Sequence, residues 1–145
     1  MERKVSIKKM PLKTLGIPEH NENNAREVGF YNDFASEFHG LSLEVQDALF
    51  ALLIKLRRFG PQLGRPDVDT LKGSRYPNMK ELRFNAADEV WRVAFAFDPK
   101  RKAILLVGGS KLGVSQARFY KGLIRSADER FGHHLATIAK ERKKE

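Results

Sequence analysis

The chain has no cysteine, which excludes disulfide bonds, thiolate nucleophiles and zinc sites built from cysteine. It has no apolar run of the roughly 18 to 20 residues that a membrane-spanning helix requires, and no apolar signal segment follows its basic N-terminus. We therefore expect a cytoplasmic protein with no membrane partner. Phosphate-binding and dinucleotide-binding glycine patterns, a Ser-His-Asp order and metal-ligand spacing of His and Glu are absent too. We accordingly expect no cofactor and no metal.

Positive charge is what the chain has in excess. Its 145 residues carry a formal net charge of +9, and 41% of them are hydrophobic. This length and hydrophobic share suit one folded domain with its own core. A strong basic excess favours an anionic partner, with nucleic acid as the first candidate and an acidic protein as the second.

The positive charge is concentrated in one part of the chain. From Lys72 to Arg125 there are twelve Lys or Arg and four Asp or Glu, whereas residues 27–71 carry four basic and seven acidic side chains. The first half therefore reads as scaffold, and the second half as the part that meets an anion.

Residues 1–24 read as a loosely ordered basic extension, because their Lys and Arg are scattered among proline and glycine without an apolar period. A clamp on an RNA backbone is the other interpretation of this segment. Residues 25–140 are expected to form a single domain.

Two helices are expected in the first half of that domain, packed as a hairpin. The first is capped by Asn32 or Asp33 and ends at Gly40. The second is capped by Ser42 and stops before Gly60, and its apolar residues recur every three or four positions.

Short apolar and alternating segments predict the strands, and together with the helices they make an α+β domain. The expected strands are residues 28–31, 79–84, 90–97 and 103–107. A loop rich in glycine and proline is expected over residues 60–78. Gly108 and Gly109 are expected to end the last strand, and a C-terminal helix should begin at Ser115.

The first two of the longer strands should form a hairpin whose register follows from burial. Only registers that bring the two apolar faces together avoid burying arginine. The expected apolar pairs are Phe84 with Trp91 and Leu82 with Val93. Such a register places Arg83 directly opposite Arg92, or within one diagonal of it.

Two interpretations of this arginine pair stay open. Like charges that face each other across strands destabilise a sheet by a few tenths to about 1 kcal/mol. Glu81 lies on the same face and could neutralise one arginine. Alternatively the pair binds a phosphate, since the guanidinium fork matches phosphate oxygens.

Further side chains of this basic module are candidates for contact with nucleic acid: Lys72, Arg75, Lys80 and Arg118. Lys80 ranks lower because it should point toward the Leu82 face near the edge of the sheet. Tyr120, near the start of the last helix, either stacks on a base or closes the core.

Catalysis by this module would depend on cations and a phenol, because all four histidines of the chain lie outside it. The candidate catalytic residues are Arg83, Arg92, Lys111 and Tyr120. Such a set suits RNA cleavage, in which the 2′-OH attacks the adjacent phosphate and the protein stabilises the added negative charge. Loss of one preorganised donor in a site of this kind can cost about 2.7 to 4 kcal/mol.

Several short motifs carry a family resemblance. LGRP, LKGSR and KELR follow one another within residues 63–83, and WRVAFAFDP follows at residues 91–99. With these motifs, residues 27–135 resemble RelE/HigB-type toxins of type II toxin–antitoxin systems, in the branch related to phage-derived Gp49-like proteins. Residues 1–24 fall outside the resemblance.

The resemblance implies a RelE-like fold, which is a small twisted, mainly antiparallel sheet with an N-terminal helical hairpin and a C-terminal helix. It implies a metal-independent endoribonuclease that cuts mRNA on the ribosome. A cognate antitoxin, expected to be a small helix-turn-helix protein, would inhibit it within a hetero-oligomer. The family's basic sheet positions fall on Lys72, Arg83, Arg92 and Lys111, and its C-terminal tyrosine position corresponds to Tyr120. Some relatives carry His or Asp near that position, or a Lys-Lys pair where this chain has Ser110-Lys111-Leu112.

Two other functions use the same basic face. A non-catalytic nucleic-acid-binding module would bind RNA with a strong salt dependence and leave it intact. A protein-interaction module would instead bind an acidic segment of a partner and have no affinity for RNA. The second function is compatible with a toxin, because an antitoxin could cover the same face.

Overall fold

The computed structural model describes residues 26–144. The extension expected at residues 1–24 lies outside this range. The strands are β1 (Val28–Phe30), β2 (Val68–Thr70), β3 (Lys80–Ala86), β4 (Glu89–Phe97) and β5 (Ala103–Ser110). The helices are α1 (Asn32–His39), α2 (Leu43–Phe59) and α3 (Gln116–Lys144), with a 3-10 turn at Gly60–Gln62.

The five strands form one open sheet in the order β1-β5-β4-β3-β2. β1 runs parallel to β5, and all other neighbours are antiparallel. This architecture confirms the expected α+β class, with a helical hairpin before the main strands and a helix after them. No helix within residues 26–144 is both long enough and apolar enough to cross a membrane.

Both faces of the sheet are covered by helices, and β4 contributes to both cores. Val93 and Phe95 belong to the core beneath α1 and α2. Ala94 and Ala96 point the other way, into a second core completed by α3. The α3 residues in that second core are Leu123, Ala127 and Phe131. The face of β4 that carries Arg92 is therefore the face that α3 covers.

One of the two predicted helix caps is confirmed. The Ser42 hydroxyl accepts a hydrogen bond from the Val45 N–H at 3.3 Å and so begins α2. The prediction that Asn32 or Asp33 caps α1 is wrong, because Tyr31 occupies that position and its side chain makes no capping bond. The Tyr31 N–H donates to the Leu105 carbonyl at 2.8 Å. Pairing with β5 therefore carries the chain to Tyr31, and the helix starts at the next residue.

The prediction that Gly108 and Gly109 end the last strand is also wrong, since β5 continues through both to Ser110. Gly108 pairs with Val93. A Cβ atom at Gly108 would lie 3.1 Å from the Val93 Cγ2 and 3.2 Å from a ring carbon of Phe34. Glycine is needed there for close packing of α1 on the sheet rather than for a turn.

The loop predicted over residues 60–78 contains a strand that the sequence analysis missed. β2 pairs antiparallel with β3 at the edge of the sheet, with Val68 opposite Leu82. A three-residue strand is too short to show the alternation by which strands are recognised.

Candidate functional site

The hairpin of β3 and β4 sets the geometry of the site. Its register pairs Phe84 with Trp91 and Arg83 with Arg92, which confirms the predicted register. Leu82 pairs with Val93, also as predicted. Because side chains alternate along a strand, Arg83 and Arg92 both point to the α3 face, together with Glu81.

Glu81 is the centre of this cluster. It is only 4% exposed. Its Oε2 accepts a hydrogen bond from Arg83 Nη1 at 2.8 Å, and its Oε1 accepts one from the Tyr120 hydroxyl at 2.9 Å. Arg92 Nε lies 3.8 Å from the same Oε1. One buried carboxylate therefore connects two strands and the first turns of α3.

Arg92 is held on both sides and is itself 7% exposed. Its Nε donates to the Tyr120 hydroxyl oxygen at 3.3 Å, and its Nη1 donates to the Trp91 carbonyl at 2.9 Å. A guanidinium with this little freedom is preorganised, so binding an anion there loses little rotamer entropy.

The Tyr120 phenol lies between the carboxylate and the guanidinium. Burial raises the pKa of Tyr120, and the charge of Glu81 raises it further, while the hydrogen bond from Arg92 opposes the shift. The phenol therefore stays protonated at neutral pH, donating its proton to Glu81 and presenting its oxygen to Arg92. The Tyr120 ring packs against the α3 core, which is one of the two interpretations left open for this residue. Its hydroxyl adds a polar contact beside the arginines.

Lys111 completes the cationic part of the cluster. Its ammonium nitrogen lies 4.8 Å from the centre of the Tyr120 ring, a cation–π distance. Its backbone N–H donates to the Val90 carbonyl at 2.9 Å, which fixes the chain as it leaves β5. Burial lowers the pKa of Lys111, the positive charge of Arg92 lowers it further, and Glu81 opposes the shift.

Gly109 lets α3 come close to the sheet beside the cluster. It pairs with Arg92 across β4 and β5. A Cβ atom at this position would lie 3.2 Å from a ring carbon of Phe119, the residue before Tyr120. A side chain here would push the first turns of α3 away from the arginines. Gly109 thus positions the site, although the sequence suggested only a strand end.

The structure does not bring every predicted residue into this cluster. Lys72 and Arg75 lie on a loop tied to the middle of α3, where Asp128 accepts hydrogen bonds from the Ser74 hydroxyl and from the Arg75 N–H. Asp128 comes eight residues after Tyr120, or about 12 Å along the helix axis at the usual rise per residue. Lys72 and Arg75 are exposed there, beside the cluster rather than within it.

The two other predicted cations also lie apart from the arginine pair. Lys80 pairs with Phe95, so it points to the α2 face, as the alternation predicted. Arg118 is exposed in the first turn of α3, where its N–H donates to the Ser115 hydroxyl at 3.3 Å. It can meet an anion that approaches the cluster from the solvent side.

Glu81 is a candidate functional residue whose central position was not predicted from the sequence. Alternation did place it beside Arg83, as a neutralising acid. Its bond to Tyr120 joins residues 39 positions apart, and no local pattern signals such a contact. His134 likewise reaches the strand module, but at the far end of β4, where its Nε2 lies 2.8 Å from an Asp98 oxygen.

Three cations and one carboxylate leave this cluster with an excess of positive charge. Among residues 26–144, no group of three or more His, Asp or Glu side chains is placed to hold a metal ion. The cluster presents two guanidiniums from paired strands, an ammonium and a phenol beside one buried carboxylate. This set can bind a phosphate diester and stabilise negative charge that develops on it.

Comparison with known proteins yields a family and two named relatives. Residues 36–132 match the family model described as "Phage derived protein Gp49-like". The chain is 47% identical over 100 residues to "Putative toxin HigB2" of Mycobacterium tuberculosis, across 68% of this chain and 49% of that protein. It is 42% identical over 100 residues to "Putative toxin HigB3" of the same organism, across 69% of this chain and 85% of that protein. No solved structure matches the chain significantly.

The matched region spans about half the length of HigB2 but most of HigB3. Residues 36–132, which match the family model, include β3, β4, β5 and the part of α3 that carries Tyr120, so they contain the whole cluster. The resemblance drawn from the sequence motifs is confirmed. The chain belongs to the phage-derived Gp49-like family and is a relative of the HigB toxins.

Proposed function

We propose that this protein is the toxin of a toxin–antitoxin system and that it cleaves mRNA bound to the ribosome. The names of its relatives support the toxin role. The endoribonuclease activity is supported above all by the opposed pair Arg83 and Arg92, which share one face of the sheet with a lysine and a phenol. Like charges facing each other destabilise a sheet unless something neutralises them. Glu81 neutralises part of this charge, and the scissile phosphate neutralises the rest.

In this proposal the arginine pair holds the scissile phosphate. Arg92 is buried and oriented by Tyr120 and Trp91, so it acts as the fixed donor. Arg83 is more exposed, with 24% of its side-chain surface open to solvent. It can turn part of its fork from Glu81 to the phosphate. Together they stabilise the charge added when the 2′-oxygen attacks phosphorus.

Lys111 supplies a third cation and a proton. The nucleophilic 2′-oxygen forms a bond to phosphorus, and the bond from phosphorus to the 5′-oxygen breaks. The departing oxygen needs a proton, which the Lys111 ammonium provides. The lowered pKa of Lys111 makes it a better acid than an ordinary lysine. Lys72, Arg75, Lys80 and Arg118 are proposed contacts for the flanking backbone, with Lys80 the weakest because it lies on the other face.

The inhibitory partner in this proposal is a cognate antitoxin, expected to be a small helix-turn-helix protein. A partner segment with acidic side chains would neutralise the cluster by charge complementarity. This arrangement would give a hetero-oligomer in which the same residues serve both RNA and inhibitor.

The test is cleavage of a defined mRNA by the purified protein, with and without programmed ribosomes and with and without EDTA. The proposal predicts cuts only on ribosomes, with products ending in a 2′,3′-cyclic phosphate and a 5′-hydroxyl, and no effect of EDTA. If the protein binds RNA in a salt-sensitive way but does not cut it, the function is that of a non-catalytic nucleic-acid-binding module. If the protein neither cuts nor binds RNA but binds an acidic partner tightly, the function is that of a protein-interaction module.

A further inference from the structure

We infer that Glu81 is the final proton acceptor of the cleavage reaction, and that it acts through the Tyr120 hydroxyl. This inference rests on the proposed nuclease function and supplies the general base that the sequence did not reveal. Glu81 does not touch the RNA in this account. It is a positioning and proton-accepting residue behind the phenol.

The directions of the hydrogen bonds at Tyr120 support this inference. The Tyr120 hydroxyl donates its proton to Glu81 Oε1 at 2.9 Å, and its oxygen accepts from Arg92 Nε at 3.3 Å. A phenol in this position can accept a proton from a substrate hydroxyl at its oxygen while it passes its own proton to the carboxylate. The three groups are therefore arranged as a two-step relay.

The proton and electron balance of the relay is complete. The 2′-OH gives its proton to the Tyr120 oxygen as the phenolic proton moves to Glu81 Oε1. The electron pair of the 2′-oxygen forms the new bond to phosphorus, and Lys111 protonates the 5′-oxygen that leaves. Glu81 then returns its proton to solvent back through the Tyr120 hydroxyl, and Lys111 regains one from water. Tyr120 ends each cycle as a neutral phenol and never carries a full negative charge.

Side chains from every neighbouring element bear on Glu81. Arg83 comes from β3, Arg92 from β4, Lys111 from the end of β5, and Tyr120 from α3. Asp69 of β2 pairs with Glu81 in the sheet and adds a further negative charge. A phosphate diester that binds Arg83 and Arg92 shares their positive charge with Glu81. Burial of Glu81 keeps water from taking the place of the phenol.

A purely structural role for Glu81 is the competing explanation, because the same contacts could simply hold Arg83 and Tyr120 in place. The two roles predict different kinetics. A proton acceptor sets the acidic side of the pH–rate profile and affects kcat, whereas a structural support changes KM or stability.

The experiment measures single-turnover cleavage on programmed ribosomes across pH 5 to 9. It compares wild type, Tyr120→Phe, Glu81→Gln and the double variant. Glu37→Gln is the matched control, since Glu37 pairs with Arg130 between α1 and α3, away from the cluster. Circular dichroism checks that each variant is folded.

The relay predicts that both single variants lose about 10²-fold or more in kcat with little change in KM. It predicts that the double variant is no slower than the slower single variant, since groups that act as a unit are not additive. The fall in rate toward acid pH that the relay predicts for wild type should vanish in both single variants. Glu37→Gln should match wild type.

Two results would overturn the relay without affecting the proposed nuclease function. In one, the losses of cleavage rate in the single variants multiply in the double variant. In the other, Tyr120→Phe still shows the fall in rate toward acid pH. Tyr120→Phe keeps Glu81 and both arginines, so it decides the matter even if Glu81→Gln fails to fold. A folded wild-type protein that cuts no RNA on ribosomes would overturn the proposed function itself, and the relay with it.

Discussion

Replacing Glu81 with alanine should destabilise the fold more than the loss of any surface ion pair, and the structure allows an estimate of the size. Removing one member of a buried ion pair typically costs about 3 to 5 kcal/mol, because the remaining charge stays buried and unpaired. Arg92 would be left in that state, since its side chain is only 9% exposed. Arg83 is 24% exposed and can turn toward water, so it adds little.

The Tyr120 hydroxyl would lose its acceptor as well, which adds about 1 kcal/mol. The expected loss in free energy of unfolding is about 4 kcal/mol, the lower end of the sum. For a domain of this size that corresponds to a fall in Tm of roughly 15 °C. Urea denaturation and thermal melts of wild type and Glu81→Ala measure it directly.

Glu37→Ala is the control for this stability measurement. Glu37 Oε2 lies 2.6 Å from Arg130 Nη2, a shorter distance than any in the Glu81 cluster, but 47% of the Glu37 side chain is exposed. Exposed pairs contribute at most about 1 kcal/mol. A loss below about 1 kcal/mol for Glu81→Ala, or one no larger than for Glu37→Ala, would refute the idea that buried charge governs this cluster.

Added inorganic phosphate extends the same test. An anion that binds the folded state and not the unfolded state raises stability according to its concentration over its Kd. Glu81→Ala leaves both arginines without their carboxylate, so phosphate should raise its Tm more than that of wild type. An equal response in both proteins would show that the arginines are not the anion site.

Three further outcomes follow from the geometry. Gly108→Ala should destabilise by about 1 to 3 kcal/mol in urea denaturation, because its Cβ would crowd the Phe34 ring, and an unchanged midpoint would contradict this packing. Lys111→Met should raise Tm at neutral pH and slow RNA cleavage. Burial and Arg92 lower the pKa of Lys111 in the folded state, so the charged ammonium destabilises the fold at any pH below that lowered pKa. This destabilisation disappears as the pH rises toward 10.5, the ordinary pKa of lysine. A gain in Tm that does not shrink as the pH rises would contradict this explanation. Asp98→Ala should cost about 3 kcal/mol, since this buried carboxylate accepts from two backbone N–H groups and contacts a histidine, and thermal melts would detect it.

The core of the fold follows from the sequence because burial leaves few alternatives. Phe84 and Trp91 must face the apolar side of the hairpin, and that requirement alone puts Arg83 opposite Arg92. Ser42 and Gly60 mark the ends of α2 because their backbone and side-chain chemistry suits those positions. These are local rules, and they hold wherever tertiary contacts do not compete.

The wrong predictions for the end of β5 and the start of α1 come from tertiary contacts. Gly108 and Gly109 were expected to stop β5, but they are there because Phe34 and Phe119 approach the strand closely. Phe34 lies far from Gly108 in sequence, and Phe119 lies beyond the turn that follows β5. Tyr31 precedes α1 without a cap because pairing with β5 determines where that helix begins.

The candidate site shows the same division. The arginine pair could be placed from strand alternation. Lys111 and Tyr120 were named from their places in the basic module, after the last strand and near the start of the last helix, and the resemblance to a toxin family pointed to the same two residues. Glu81 could be placed on the correct face, yet its position as the hub depends on how α3 lies over the sheet. That packing direction has no signature in β3 itself, so the base of the proposed relay could be found only in the three-dimensional structure.

The central claim is that Arg83 and Arg92 hold a scissile phosphate, and cleavage of mRNA on programmed ribosomes tests it most directly. The measurement compares wild type with Arg83→Ala, Arg92→Ala and Arg142→Ala. Arg142 is an exposed arginine near the end of α3, about 33 Å along the helix from Tyr120, so it controls for loss of charge alone. The account predicts EDTA-insensitive cuts by wild type and Arg142→Ala, and a loss of about 10² to 10³ in kcat for Arg92→Ala, with Arg83→Ala also impaired. Full cleavage by folded Arg83→Ala and Arg92→Ala would contradict it.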